Sequence, residues 1–227
     1  MDFQGLGSRL ASVRDRIRLH QARGGWTHPV RIVAVTKTHG PEAVRAALAA
    51  GLTDVGENRV QEALAKQDAL TGLPVRWHLI GSLQRNKARH VAGRFALIHS
   101  VDREDLAVEI GRRVSDGSRQ AVLVEVNCSG EAQKSGVAPE GLARLLDRMV
   151  ALPGLELQGL MTMAAESPDE RIQRGAFARL RELREQMAAV GHRLPELSMG
   201  MSGDFPTAVE EGATMVRLGT LLFGERQ

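Results

Sequence analysis

The sequence predicts a single (β/α)8 barrel with one extra N-terminal helix, and three observations predict it. The chain has 227 residues, in the range of about 200 to 250 that such a barrel takes as one domain. Eight short apolar, β-branched runs alternate with amphipathic stretches, the pattern of parallel βα units. Polar residues and glycines gather just past those runs, where a barrel carries its chemistry. An open doubly wound sheet is the alternative, but it rarely needs eight units this regular.

The extra helix is expected over residues 6–22, with Leu6, Leu10, Val13 and Ile17 on one face. The first strand is 31–36. Pro41 opens the next helix and Gly51 closes it. The second strand, 54–56, leads to a helix over 59–70. The third, 75–80, leads to a helix over 85–91, and the fourth, 95–100, to one over 104–113. The fifth strand is 121–126, with a helix over 139–151. The sixth is 155–160, with a long helix over 168–190. The seventh is 196–199, with a helix over 205–212. The eighth, 214–218, ends in Gly219-Thr220. The whole chain, 1–227, reads as one domain with no linker, repeat or low-complexity tract.

Composition narrows the function. The net charge is +3 and the excess arginine is spread along the chain rather than clustered, so no nucleic-acid footprint is expected. No apolar run approaches the roughly 20 residues of a membrane span, and residues 1–23 lack the apolar core of a signal peptide. The single cysteine, Cys128, forms no intrachain disulfide, which fits a reducing, cytoplasmic setting. It is read as a small buried or rim residue, not a nucleophile. No spacing of His, Cys and carboxylates suggests a metal. Met161, Met163, Met199 and Met201 read as pocket wall and core.

The strand ends carry the candidate site. Lys37 and Thr38 follow the first strand and Glu57 and Asn58 the second, and the third ends in His78-Leu-Ile-Gly81, then Ser82 and Gln84. The fourth ends at Ser100 and the fifth at Asn127, and the sixth leads to Met161-Thr-Met163. The seventh runs into Met199-Gly-Met-Ser-Gly203, and the eighth carries Arg217, then Gly219 and Thr220. By topology all are expected on one rim.

Only four lysines occur, and Lys37 alone directly follows a buried strand. Lys66 sits mid-helix and is expected on a solvated face, Lys87 at a helix start and Lys134 in a polar loop. Burial would lower the pKa of Lys37 and free its amine for a Schiff base. The bland reading, a lysine that snorkels or pairs with Glu57, stands beside it. The loops at Ser202-Gly203 and Gly219-Thr220 offer backbone N–H groups after the seventh and eighth strands, where barrels often hold phosphate. Arg217 is expected near Lys37, because the eighth strand closes on the first. It is either a core arginine paired with Glu57 or Glu125, or a permanently protonated partner for a cofactor ring nitrogen. Asn58 is a ligand contact or a helix cap. His78 reads as a hydrogen-bonded barrel histidine.

Several motifs in one order then point to a family. They are Ala34-Val-Thr-Lys-Thr38, Gly56-Glu-Asn-Arg-Val-Gln-Glu62, Trp77-His-Leu-Ile-Gly81, Leu83-Gln-Arg-Asn-Lys87, Val126-Asn127 with Lys134-Ser-Gly136, Gly159-Leu-Met-Thr-Met163, Leu197-Ser-Met-Gly-Met-Ser202, and Met215-Val-Arg-Leu-Gly-Thr220 with Phe223-Gly224. From about residue 30 to its end the chain resembles the pyridoxal phosphate homeostasis proteins, the YggS/PROSC group. The resemblance implies the barrel of the alanine racemase N-terminal domain, a fold type III pyridoxal phosphate (PLP) fold, without the extra β domain. It implies PLP held as a Schiff base on Lys37. Its phosphate would lie at Ser202, Gly203, Gly219 and Thr220 and its ring nitrogen at Arg217, with Asn58 and the Met201 backbone lining the pocket. It further implies a role in vitamin B6 homeostasis with no established catalytic activity. Arg59 departs from the aromatic residue that many members carry.

Two further readings compete with a PLP carrier. One is a racemase-like or decarboxylase-like PLP enzyme. The chain has no tyrosine, so the tyrosine that faces the lysine in the alanine racemase type has no counterpart, and an unprotonated ring nitrogen is a poorer electron sink. The other is a cofactor-free Schiff-base aldolase, which the Arg217 position and the motif set oppose. The expected partners are PLP, other B6 vitamers and, transiently, PLP-dependent enzymes. No nucleic acid and no membrane are expected, and the expected state is a cytoplasmic monomer.

Overall fold

The computed structural model describes residues 3–131 and 133–224. Helix α1 (Leu6–Gly24) precedes the eight strands: β1 (Arg31–Val35), β2 (Asp54–Glu57), β3 (Arg76–Leu79), β4 (Leu97–Val101), β5 (Gln120–Glu125), β6 (Leu155–Met161), β7 (Glu196–Met201) and β8 (Met215–Leu218). They pair in parallel in chain order, and β8 closes on β1 with Val33 opposite Arg217, so the sheet is a barrel without edges.

The connections are α2 (Pro41–Ala49), α3 (Val60–Ala69), α4 (Ala88–Val91), α5 (Glu104–Arg113), α6 (Leu142–Val150), α7 (Glu170–Ala189), α8 (Phe205–Glu210) and α9 (Thr220–Phe223). Helix α1 buries the four residues expected of it and packs against α8 and α9. Pro41 does open α2, and Gly51, at φ 80°, follows its C-cap with its N–H on the Leu48 carbonyl. Elsewhere the boundaries differ. The helix expected over 85–91 is a 3-10 turn, Arg85–Lys87, followed by the single turn of α4. Helix α7 starts two residues later than expected, where the Asp169 carboxylate accepts from the Arg171 N–H at 2.9 Å.

Strand β7 runs two residues beyond the expected 199. Its pairing with β8 shifts register between Ser198 and Met201, and Gly200 takes φ 93° there. A Cβ at Gly200 would lie 2.6 Å from the Ala208 Cβ and 3.0 Å from the Phe205 Cα. Only glycine lets the chain turn this close to α8 and deliver Met201, Ser202 and Gly203 to the rim.

The core has two layers. A large apolar layer fills the space between strands and helices. A smaller one, Val33, Leu97, Leu123, Met161 and Met215, fills the waist of the barrel. Above that waist the interior opens into a cavity at the C-terminal ends of the strands. No helix among the described residues is long and apolar enough to cross a membrane.

Candidate functional site

The cavity measures about 360 Å³, the size of a small-ligand site. Its walls bring together Lys37, Asn58, Met201, Ser202, Gly203, Arg217, Gly219 and Thr220, the full set that the sequence nominated. Val35, Ile80, Gly81, Ser82, Glu125 and Met163 complete the lining. Glu125 is the informative omission, since the sequence suggested it only as a partner for Arg217.

Lys37 leaves β1 on a tight turn. The His39 N–H donates to the Thr36 carbonyl at 3.1 Å, and Thr38 has φ 69°, a left-handed conformation that is costly for a β-branched residue. That outlier lies beside the nominated lysine. Lys37 itself is exposed at the cavity mouth, so the burial expected to activate it is absent. The strand before it is buried, but its side chain projects beyond the waist. The alternative pairing with Glu57 is also absent.

Glu57 and Lys66 correct two expectations. Glu57 does not face the rim. It points outward from β2 and is fully buried, its Oε1 2.5 Å from the Lys66 Nζ. Lys66, expected on a solvated face, is only 6% exposed and sits beneath α3. Two stacked layers, sheet and helix ring, leave no solvated side for a residue that faces the sheet.

Arg217 is 4% exposed on the cavity floor. It pairs directly with neither Glu57 nor Glu125. Instead Nη1 donates to the Ser198 carbonyl at 2.8 Å and to Ser198 Oγ at 2.7 Å, and Nη2 to the Thr162 carbonyl at 2.9 Å. Burial lowers its pKa to about 10, while the charges of Asp204 and Glu125 act in the opposite direction. Arg217 therefore stays protonated at neutral pH. Glu125 is pushed up to about 7, by burial first and then by Asp102, with Arg217 opposing.

The loops after β7 and β8 supply donors. Among the described residues no protein acceptor takes the backbone N–H groups of Ser202, Gly203 or Thr220. Ser202 Oγ accepts from the Leu221 N–H at 3.4 Å and so joins the two loops. Asp204 closes the turn by accepting from the Met201 N–H at 2.5 Å. Asn58 lines the cavity and does not cap α3, whose N-cap residue is Arg59. Gly81 packs against it so closely that a Cβ would lie 2.3 Å from the Asn58 carbonyl oxygen.

The remaining candidates have structural places. His78 is fully buried and hydrogen-bonded inside the barrel. Met161 and Met199 are core, whereas Met163 and Met201 stand at the mouth. Asn127 donates to the Glu131 carbonyl at 2.9 Å, and Lys134 to the Ala164 carbonyl at 2.8 Å, so both organise the loop after β5. Cys128 is half-buried, and burial lifts its thiol to about 11, against the Thr162 hydrogen bond and the Arg179 charge. Burial thus favours the thiol over the thiolate at neutral pH. Among the described residues no cluster of His, Cys, Asp and Glu could hold a metal ion.

Comparisons with known proteins agree with this fold. The family model described as the alanine racemase N-terminal domain matches residues 9–227. Pyridoxal phosphate homeostasis proteins of Aquifex aeolicus and Pseudomonas aeruginosa are 45% and 46% identical to the chain. The alignments cover 96% of this chain and 97% of the relative in the first case, and 97% and 96% in the second. Among solved structures, PipY of Synechococcus elongatus with PLP bound superimposes with a TM-score of 0.82 at 39% identity, over 96% of this chain and 100% of that one. Alanine racemase of Clostridium difficile shares the fold, with a TM-score of 0.75 at 16% identity, and this chain covers 93% of itself and 60% of that enzyme. The chain belongs to the pyridoxal phosphate homeostasis proteins, on the barrel of the alanine racemase N-terminal domain.

Proposed function

We propose that this chain binds PLP in the cavity at the C-terminal end of the barrel and serves intracellular vitamin B6 homeostasis by buffering or delivering it. One observation carries the reading: a single cavity unites an exposed lysine amine, a buried arginine that has no carboxylate partner among the described residues, and two loops whose N–H donors meet no protein acceptor among those residues. These groups match a ligand with an aldehyde, a ring nitrogen and a phosphate. When bound, PLP supplies that aldehyde and a ring that accepts electron density.

Each residue then has a part. Lys37 provides the amine for covalent attachment. Ser202, Gly203, Gly219 and Thr220 hold the phosphate through backbone N–H groups and two hydroxyls. Arg217, always a donor, faces the ring nitrogen and keeps it unprotonated. Asn58 and the Met201 backbone line the ring edge. PipY, a solved relative, is described with PLP bound. The relatives are named for homeostasis rather than for a reaction, and the open mouth beside Lys37 suits a ligand that comes and goes. We read the protein as a cytoplasmic monomer that also meets other B6 vitamers and, transiently, PLP-dependent enzymes.

One observation favours a second reading, a racemase-like enzyme. Glu125 brings a carboxyl that titrates near neutrality into the same cavity. The deciding experiment is an absorbance spectrum of the purified protein with added PLP, followed by borohydride trapping and peptide mass spectrometry. A reduced adduct on Lys37 without amino-acid turnover supports the carrier. Turnover lost in Glu125→Gln supports the enzyme. A colourless, unlabelled protein overturns both.

A further inference from the structure

Five strands each place one polar side chain inside the barrel, and together these side chains form an unbroken hydrogen-bonded chain. Asp54 Oδ1 lies 2.8 Å from His78 Nε2, and His78 Nδ1 lies 2.9 Å from His99 Nε2. His99 Nδ1 lies 2.9 Å from Ser198 Oγ, which accepts from Arg217 Nη1 at 2.7 Å. His78, His99 and Ser198 are fully buried. Asp54, with a side chain 14% exposed, sits at the N-terminal end of the barrel, and Arg217 lies on the cavity floor.

The two ends of the chain, with one proton on each ring, set the direction of every hydrogen bond. Arg217 can only donate. Burial pushes the Asp54 carboxyl up, but the His78 hydrogen bond, with the charges of Arg76 and Arg31, outweighs it and holds the carboxyl below its usual range. Asp54 is thus an ionised acceptor. Burial first, and then the charges of Arg217 and Arg31, drive the His99 pKa well down, so that ring is neutral. Working upward from Asp54 with one proton on each ring, His78 carries its proton on Nε2 and accepts at Nδ1. His99 then carries its proton on Nε2 and accepts at Nδ1 from the Ser198 hydroxyl, leaving Ser198 Oγ to accept from Arg217. Every bond points from the cation to the anion, and such aligned bonds polarise one another.

We propose that Asp54 is the remote counter-ion of Arg217, acting through His78, His99 and Ser198, and that these four are positioning residues for the guanidinium on the cavity floor. This rests on the reading of Arg217 as the partner of the cofactor ring nitrogen. Other charges face the chain too: Glu125 and Asp204 act on Arg217, Arg31 acts on His99 and Asp54, and Arg76 lies 3.2 Å from Asp54. Arg31 is itself paired with Glu196 at 3.2 Å. None of these replaces the direct chain, because Arg217 has no carboxylate within ion-pair distance among the described residues. A merely space-filling interior would need no such chain, since the layer at the waist is apolar.

The test starts with the ligand-free protein. Imidazole nitrogen-15 NMR between about pH 6 and 8 reads the Nε2–H form for both His78 and His99. The isosteric Asp54→Asn releases that preference and brings in the Nδ1–H form. In the PLP-loaded protein, Asp54→Asn and Ser198→Ala each shift the absorbance band and weaken PLP retention by about fivefold. The double variant goes no further than either single one, and Ser198→Thr restores the band. Unchanged tautomers in Asp54→Asn, or simple additivity of the two variants, overturn the relay. If Arg217→Gln still shifts the band in that case, the cofactor reading stands without it. If instead Lys37→Ala and Arg217→Gln leave PLP binding unaltered, the cofactor reading falls, and the NMR arm alone decides whether Asp54 governs the chain.

Discussion

The buried ammonium of Lys66 donates to the carbonyl oxygen of Thr36 across 2.7 Å, and Thr36 is the residue before Lys37. The same ammonium pairs with Glu57, whose Oε1 also accepts from the Thr36 hydroxyl at 2.5 Å. One ion pair behind the sheet thus ties the end of β1 to the end of β2, and so sets Lys37 against Asn58 from outside the cavity. Removing one partner of a buried pair leaves an unpaired charge, which costs more than the pair itself contributes.

Lys66→Met is therefore expected to destabilise the protein by about 3–5 kcal/mol. Adding Glu57→Gln should recover much of that loss, because it removes the orphaned charge. Urea unfolding of the two variants checks this, and equal destabilisation in both argues against the pair as the cause.

Lys37→Ala should behave differently. Its side chain is exposed and makes no ion pair within the described residues, so stability should stay within about 0.5 kcal/mol of the parent. The borohydride-trapped adduct should vanish. An adduct of unchanged yield in this variant would place the covalent link on another lysine.

The two loops proposed to hold the phosphate are separable. Ser202→Ala removes one hydroxyl and should weaken PLP retention by about tenfold to a hundredfold, the worth of one hydrogen bond to a charged group. Gly219→Asp introduces like charge near the phosphate, and its Cβ would already lie 3.3 Å from the Val35 carbonyl oxygen. It should weaken retention further. Titration calorimetry with PLP reads both, and unchanged affinity in both variants removes the phosphate assignment.

Glu125 should set a pH dependence of stability. Its carboxyl titrates near 4.5 when unfolded and about 7 when folded. Between those values the folded chain binds more protons, so stability falls as pH rises through that window, and the full cost persists above it. Glu125→Gln is expected to be more stable than the parent at about pH 8, by up to about 3 kcal/mol, with no such gain near pH 4. Urea unfolding of the ligand-free proteins at the two pH values tests this. An equal difference at both means that Glu125 is not the titrating group.

The amino-acid order alone specifies the barrel and nominates its candidate site. The alternation of eight β-branched runs with amphipathic stretches specifies βα units, and a barrel puts chemistry at the strand ends, which is where Lys37, Asn58, Ser202, Gly219 and Thr220 were read. Tertiary structure decided which way each strand residue faces. A barrel strand is buried on both sides, by the helix ring outside and by packed side chains inside, so hydropathy cannot tell the faces apart. That is why Glu57 looked like a rim residue and Lys66 like a solvated one, although the two meet beneath α3. It is also why the line from Asp54 through His78 and His99 to Ser198 left no trace in the spacing. Its members come from four strands and meet only because closure of the sheet brings their inward faces onto one axis, with β8 set beside β1 and Arg217 beneath Lys37.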